Sequence, residues 1–169
     1  MSSIRRIVAL AAALTGLLVP FCASAQDGTQ AQPASQRAAT ELPAGKQTTL
    51  GLYVNSREAY EMWLAAPDKV TILDVRTPEE VIFVGHATMA WNVPVASQSY
   101  QWDAGKQQFP MSPLPDFVTR AQKIARPDDV LLVMCRSGCR SAIAVNMLAK
   151  AGFRNLFFFK QKTAYDVIW

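Results

Sequence analysis

The apolar run Val130-Leu131-Leu132-Val133-Met134 stops at Cys135-Arg136-Ser137-Gly138-Cys139-Arg140-Ser141. A second apolar stretch, Ala142 to Lys150, follows and is closed by Gly152. The first run reads as a buried strand and the second as a helix, so a cysteine is held on a short strand-to-helix loop. The first amides of a helix have no partners inside it, and the helix dipole places partial positive charge there. Successive loop N–H groups form an anion-binding nest, and Gly138 supplies the left-handed backbone such a curl needs. With Arg136 and Arg140 alongside, a sulfur at the centre is expected as a thiolate, the nucleophilic form. The alternative is a buried structural cysteine beside a capped helix.

The rest of the folded region alternates strand and helix. Tyr53-Val54 reads as a short strand, and Asn55 or Ser56 caps a helix to about Ala65. Val70 to Val75 reads as a buried strand, with a short helix starting near Pro78. Ala90 to Val93 is a further short strand, and Leu114 to Ala125 a helix. This alternation predicts an α/β domain with a central parallel sheet and helices on both faces. Active groups then belong beyond the carboxyl ends of the strands, where Cys135 falls.

Three motifs in order carry a family resemblance over about residues 50 to 156. They are Leu73-Asp74-Val75-Arg76-Thr77-Pro78-Glu79-Glu80, then Gly85-His86-Ala87 before Asn92-Val93-Pro94, then the loop 135–141. In these the chain resembles the single-domain rhodanese family of sulfurtransferases. Related phosphatases place five residues between cysteine and arginine, whereas four, Arg136 to Cys139, separate Cys135 from Arg140 here. The narrower ring suits a sulfur atom better than a phosphoryl group.

The resemblance implies catalysis by Cys135. Its thiolate takes the outer sulfur of a donor such as thiosulfate, and a thiol or cyanide acceptor discharges the persulfide. The loop Arg136, Ser137, Gly138, Cys139 and Arg140 cradles that persulfide. Arg136 and Arg140 steer the anionic donor or make structural ion pairs. No cofactor and no metal are implied. The expected partners are a small anionic sulfur donor and a thiol acceptor, which a periplasmic protein could supply.

Cys139 resolves the persulfide as a disulfide, relays sulfur, or fills space. Asp74 and Arg76, at a strand end, are candidate supporting residues, and a structural ion pair or loop hydrogen bond is the stronger reading; Ser141 is the third supporting candidate. His86, the sole histidine, fixes a turn rather than acting as a base. Residues 96–113 make a long connection in which Tyr100, Trp102 and Phe109 either wall the substrate pocket or cover a core edge. Two other functions stay open: a thiol-redox protein cycling Cys135 and Cys139, and a non-catalytic anion- or partner-binding module.

The termini set the expected address and limits. Met1 to Arg6 is basic, Ile7 to Val19 is apolar, and Ala23-Ser24-Ala25 is a small-x-small cleavage signal. Residues 1–25 read as a secretory signal peptide, too short in its apolar part to span a bilayer, and the expected location is the periplasm. Phe21 argues against lipid attachment at Cys22. Losing Arg5 and Arg6 with the leader takes the net charge from +4 to +2. No basic patch interleaved with aromatics remains, so no nucleic-acid partner is expected. Residues 26–49, rich in Gln, Ala, Thr, Pro and Ser, read as a flexible linker. The tail 157–169 departs from the family and resembles translated sequencing-adapter read-through, so the family's final helix is expected to be missing.

Overall fold

The structure is a computed structural model, and it describes residues 42–160. The signal-peptide reading (1–25), most of the linker reading (26–41) and the tail beyond Lys160 lie outside the described residues.

Four strands form one parallel sheet in the order β2-β1-β5-β6: β1 (Val70–Asp74), β2 (Ala90–Asn92), β5 (Val130–Cys135) and β6 (Asn155–Lys160). β1 and β5 lie in register from Val70 opposite Val130 to Asp74 opposite Met134. The chain leaves β1 towards one edge and β5 towards the other. The junction of β1 and β5 is therefore the switch point, where crevices open at the carboxyl ends of strands.

The two-residue period of strands divides β5 between two cores. Leu131, Val133 and Cys135 join one apolar cluster, with Ala142, Val145 and Leu148 of the helix α4 (Cys139–Lys150) and Phe117 of α3 (Phe117–Ala121). Leu132 and Met134 join the other, with Ala59, Met62 and Trp63 of α1 (Ser56–Ala65). Helices thus cover both faces, as the alternation predicted. Cys135 belongs to the face that carries α4, which directs its sulfur towards that helix's first turn.

Two capping boxes set helix starts. Asn55 caps α1: its Oδ1 accepts from Glu58 N (2.9 Å), and its own N–H donates to Glu58 Oε2 (2.7 Å). Thr77 caps α2 (Pro78–Val84) in the same reciprocal way with Glu80. α3 is shorter than the helix expected from Leu114 to Ala125. Leu114 to Asp116 form a turn with Phe117 N bonded to Leu114 O, and beyond Gln122 the bonds tighten to three-residue spacing at Lys123 and Ile124.

Three expectations are corrected. Residues 42–49 are not a free linker: Leu42 and Leu50 pack on the α4-side core, and Thr48 N donates to Tyr53 Oη (2.8 Å). Polar composition hid two anchoring leucines. The connection 96–113 is a two-stranded antiparallel ribbon, with β3 (Ala96–Gln98) against β4 (Met111–Pro113) and a bridge between Asp103 and Gln108. Its arms are largely solvent-facing, so they carry no alternating apolar signal. The domain also runs past residue 156, because β6 pairs with β5 through Lys160. Phe158 faces the α4-side core while Phe157 and Phe159 face the α1 side. Tyr53, expected in a strand, makes a single parallel bridge to Phe158.

Candidate active site

Cys135 is the last residue of β5 and is wholly buried. Its Sγ accepts from the backbone N–H of Gly138 (3.1 Å) and of Ser141 (3.3 Å), and lies 3.3 Å from Ser141 Oγ. Gly138 is the N-cap of α4, with φ 100° and ψ −20°. A side chain there would be strained by that φ, and its Cβ would sit 2.9 Å from Phe158 Cζ. The positive φ turns the chain from the loop into α4, while the Gly138 N–H donates to the sulfur. Ser141 stands in the first turn of α4, so its N–H has no acceptor inside the helix and is free to meet the sulfur. Two amides, one hydroxyl and the positive end of a twelve-residue helix therefore converge on one sulfur atom. Such a cradle stabilises negative charge on Cys135 or on a sulfur attached to it.

The two arginines of the loop part company. Arg140 is held in a two-pronged ion pair by Glu80 of α2: Nη2 donates to Oε1 at 2.8 Å, and Nη1 meets Oε2. The carboxylate raises the guanidinium's affinity for its proton against the opposing effect of burial. Burial pushes the Glu80 carboxyl upwards, but the Arg140 guanidinium, the Thr77 backbone bond and the charge of Arg76 outweigh it and hold it below the ordinary value. Of the two readings offered for Arg140, the ion pair is the one observed. Arg136 and Ser137 are exposed, and among the described residues Arg136 makes no ion pair. It is the loop cation left to meet an incoming anion.

Asp74 and Arg76 are both buried and pair with each other. Arg76 Nε donates to both Asp74 oxygens at 2.9 Å, and Nη2 reaches Asp74 Oδ2 (2.5 Å) and Gly85 O (2.9 Å). Asn92 Nδ2 donates to the carbonyls of Asp74 (3.0 Å) and Arg76 (2.9 Å). This ion pair is one of the two structural readings the sequence favoured, and it ties the end of β1 to β2 and to the end of α2. His86 lies just before the turn closed by Ala90 N on Ala87 O, with its Nδ1 3.0 Å from Ala87 O. Cys139 is a free thiol, exposed at the first position of α4, whereas Cys135 is buried. No cluster of three or more metal-ligating side chains occurs among the described residues.

Tyr100 and Trp102 are exposed; Tyr100 Oη donates to Glu79, and Trp102 packs edge-on against Phe109 (5.2 Å). Sequence reasoning missed Glu80 as a site residue. The Thr77-x-x-Glu80 spacing signals its capping duty, but its partner Arg140 lies 60 residues on, beyond any local pattern.

The family described as Rhodanese-like domain matches residues 56–161. Over 81 residues the chain is 40% identical to thiosulfate sulfurtransferase 16, chloroplastic, of Arabidopsis thaliana, covering 48% of this chain and 60% of that one. It is 37% identical over 81 residues to the senescence-associated protein DIN1 of Raphanus sativus, covering 48% and 39%. The chain thus spans less than two thirds of either relative. A solved rhodanese-related protein from Thermoplasma volcanium is similar at 27% identity and a TM-score of 0.44, covering 64% of this chain and 83% of that one.

Proposed function

Because the chain belongs to the rhodanese-like domain family, we propose that it is a sulfurtransferase carrying a sulfane sulfur on Cys135. The observation that supports this most is the convergence of Gly138 N, Ser141 N and Ser141 Oγ on Cys135 Sγ. In the first half-reaction the Cys135 thiolate attacks the outer sulfur of thiosulfate. The new S–S bond forms as the donor's S–S bond breaks, and sulfite leaves with the electron pair. In the second, cyanide or an acceptor thiolate attacks the outer sulfur and Cys135 leaves as thiolate. Atoms and charge balance at each step without an added proton or electron. Arg136 and Ser137, the exposed residues that follow Cys135 in the loop, are where an acceptor would approach.

We further propose that the protein acts in the periplasm after removal of residues 1–25, on a thiol acceptor that a protein there provides. Intact mass of reduced protein after thiosulfate treatment tests the chemistry. Wild type gains one sulfur that cyanide removes, and Cys135→Ser gains none. Loss of two protons without sulfur gain would replace this mechanism with a Cys135–Cys139 disulfide cycle.

A further inference from the structure

Lys46 lies ten residues before the family-matched region 56–161, yet it reaches the sulfur-binding loop. It ends a 3-10 turn (Ala44–Lys46) that packs on α4. A Cβ placed on Gly138 would lie 3.5 Å from Lys46 Cδ. Two further bonds carry the ammonium to within roughly 6 Å of that point. Gly138 N lies 3.1 Å from Cys135 Sγ, so the ammonium stands within about 12 Å of the sulfur, comparable to the Debye length of about 10 Å at 0.1 M ionic strength. Among the described residues Lys46 makes no ion pair, so its charge is not cancelled locally.

The segment is held in place from the helix itself. Asn146 of α4 accepts from Thr49 N (2.8 Å) and Thr49 Oγ1 (2.7 Å) through Oδ1, and donates to Gln47 O (3.4 Å). Thr48 N bonds to Tyr53 Oη, and Leu42 packs on the core. These anchors on both sides of Lys46 stop the turn from swinging away. The charge balance at the loop gives the placement its consequence. Glu80 neutralises Arg140, which leaves Arg136 as the loop's unpaired cation beside a thiolate. A dianion approaching an anionic nucleophile is repelled unless further positive charge stands nearby.

We propose that Lys46 is a specificity-determining residue that attracts anionic sulfur donors to Cys135. The inference rests on the sulfurtransferase reading for its substrate, but the local field it invokes can be measured without sulfur transfer. In the full chain carrying Cys139→Ser, Cys135 is alkylated with iodoacetate, an anion, and with iodoacetamide, its neutral counterpart, and modification is read on the Cys135 peptide.

Lys46→Gln is expected to slow iodoacetate about three- to tenfold and leave iodoacetamide unchanged, while Lys46→Arg restores the wild-type ratio. With thiosulfate, Lys46→Gln raises KM by a similar factor at unchanged kcat. Asn146→Ala, which frees the strap, shifts the alkylation ratio in the same direction. An unchanged ratio in Lys46→Gln, or an equal loss with both reagents, overturns the proposal. A changed ratio in a protein that takes no sulfur from thiosulfate upholds the field and refutes the donor instead.

Discussion

Ser141 has one hydroxyl proton and three acceptors around it: Cys135 Sγ, Gly138 O (3.2 Å) and Phe159 O (3.5 Å). While the cysteine is a thiol, the hydroxyl can donate to a carbonyl and accept from S–H. Once the thiolate forms, the proton turns to the sulfur, which is the strongest acceptor of the three. Ser141→Ala removes that donor and keeps the Ser141 amide. A hydrogen bond to a charged group contributes about 1.5–3 kcal/mol, so alkylation of Cys135 at neutral pH is expected to slow by about tenfold or more. Rates with iodoacetamide check this, and an unchanged rate would assign anion stabilisation to the amides alone. Much of this scale was legible in the chain. The strand, loop and helix that bring Cys135, Gly138 and Ser141 together were readable because they are consecutive in sequence. The division of labour between Arg136 and Arg140 was not legible, since it depends on which one meets Glu80.

Among the elements, α2 links parts that are distant in the chain. Glu79 accepts from Tyr100 on the ribbon, and Glu80 both completes the Thr77 capping box and grips Arg140. Glu80→Gln is expected to lower Tm at neutral pH by about 5 °C. The carboxyl's folded pKa lies below the ordinary 4.5, so its contribution is fully present above that value. It is lost as pH falls through the folded value. Melting curves near pH 7 and at about pH 3 should therefore show the gap between wild type and variant closing in acid. A gap that persists in acid would trace the loss to packing rather than charge.

The edge strand β6 poses a separate question at this scale. The family match runs through residue 161 and so takes in the phenylalanine run that completes the strand, although that run falls in the tail read as adapter read-through. Phenylalanine favours strands whatever its origin, so pairing with β5 is compatible with that proposal. Resequencing the locus checks it: the expected frame departs from this tail near Leu156, and an uninterrupted native frame through Trp169 would overturn it.

For the whole molecule, the alternation of strands and helices was readable because both faces of a parallel sheet are covered and its strands are continuously apolar. The ribbon β3–β4 and the strap 42–49 were not readable. Each is held by a few long-range bonds, such as Asn146 to Thr49, with no periodic apolar face to announce it. The proposed export is a property at this scale too. Full-length protein expressed in a Gram-negative host should appear in the periplasmic fraction with Gln26 at its N-terminus by intact mass. Cytoplasmic protein retaining Met1 would refute the address.

The pairing of β1 with β5 joins residues 60 apart, from Val70 with Val130 to Asp74 with Met134. Contacts of such separation form late and slowly during folding, because a long loop must close before they reward it. Until they close, Cys135 has no wall behind it and Glu80 has no Arg140 to hold. A newly emerged chain therefore displays an unprotected thiol for as long as its central strands remain apart. Oxidants encountered in that interval compete directly with folding.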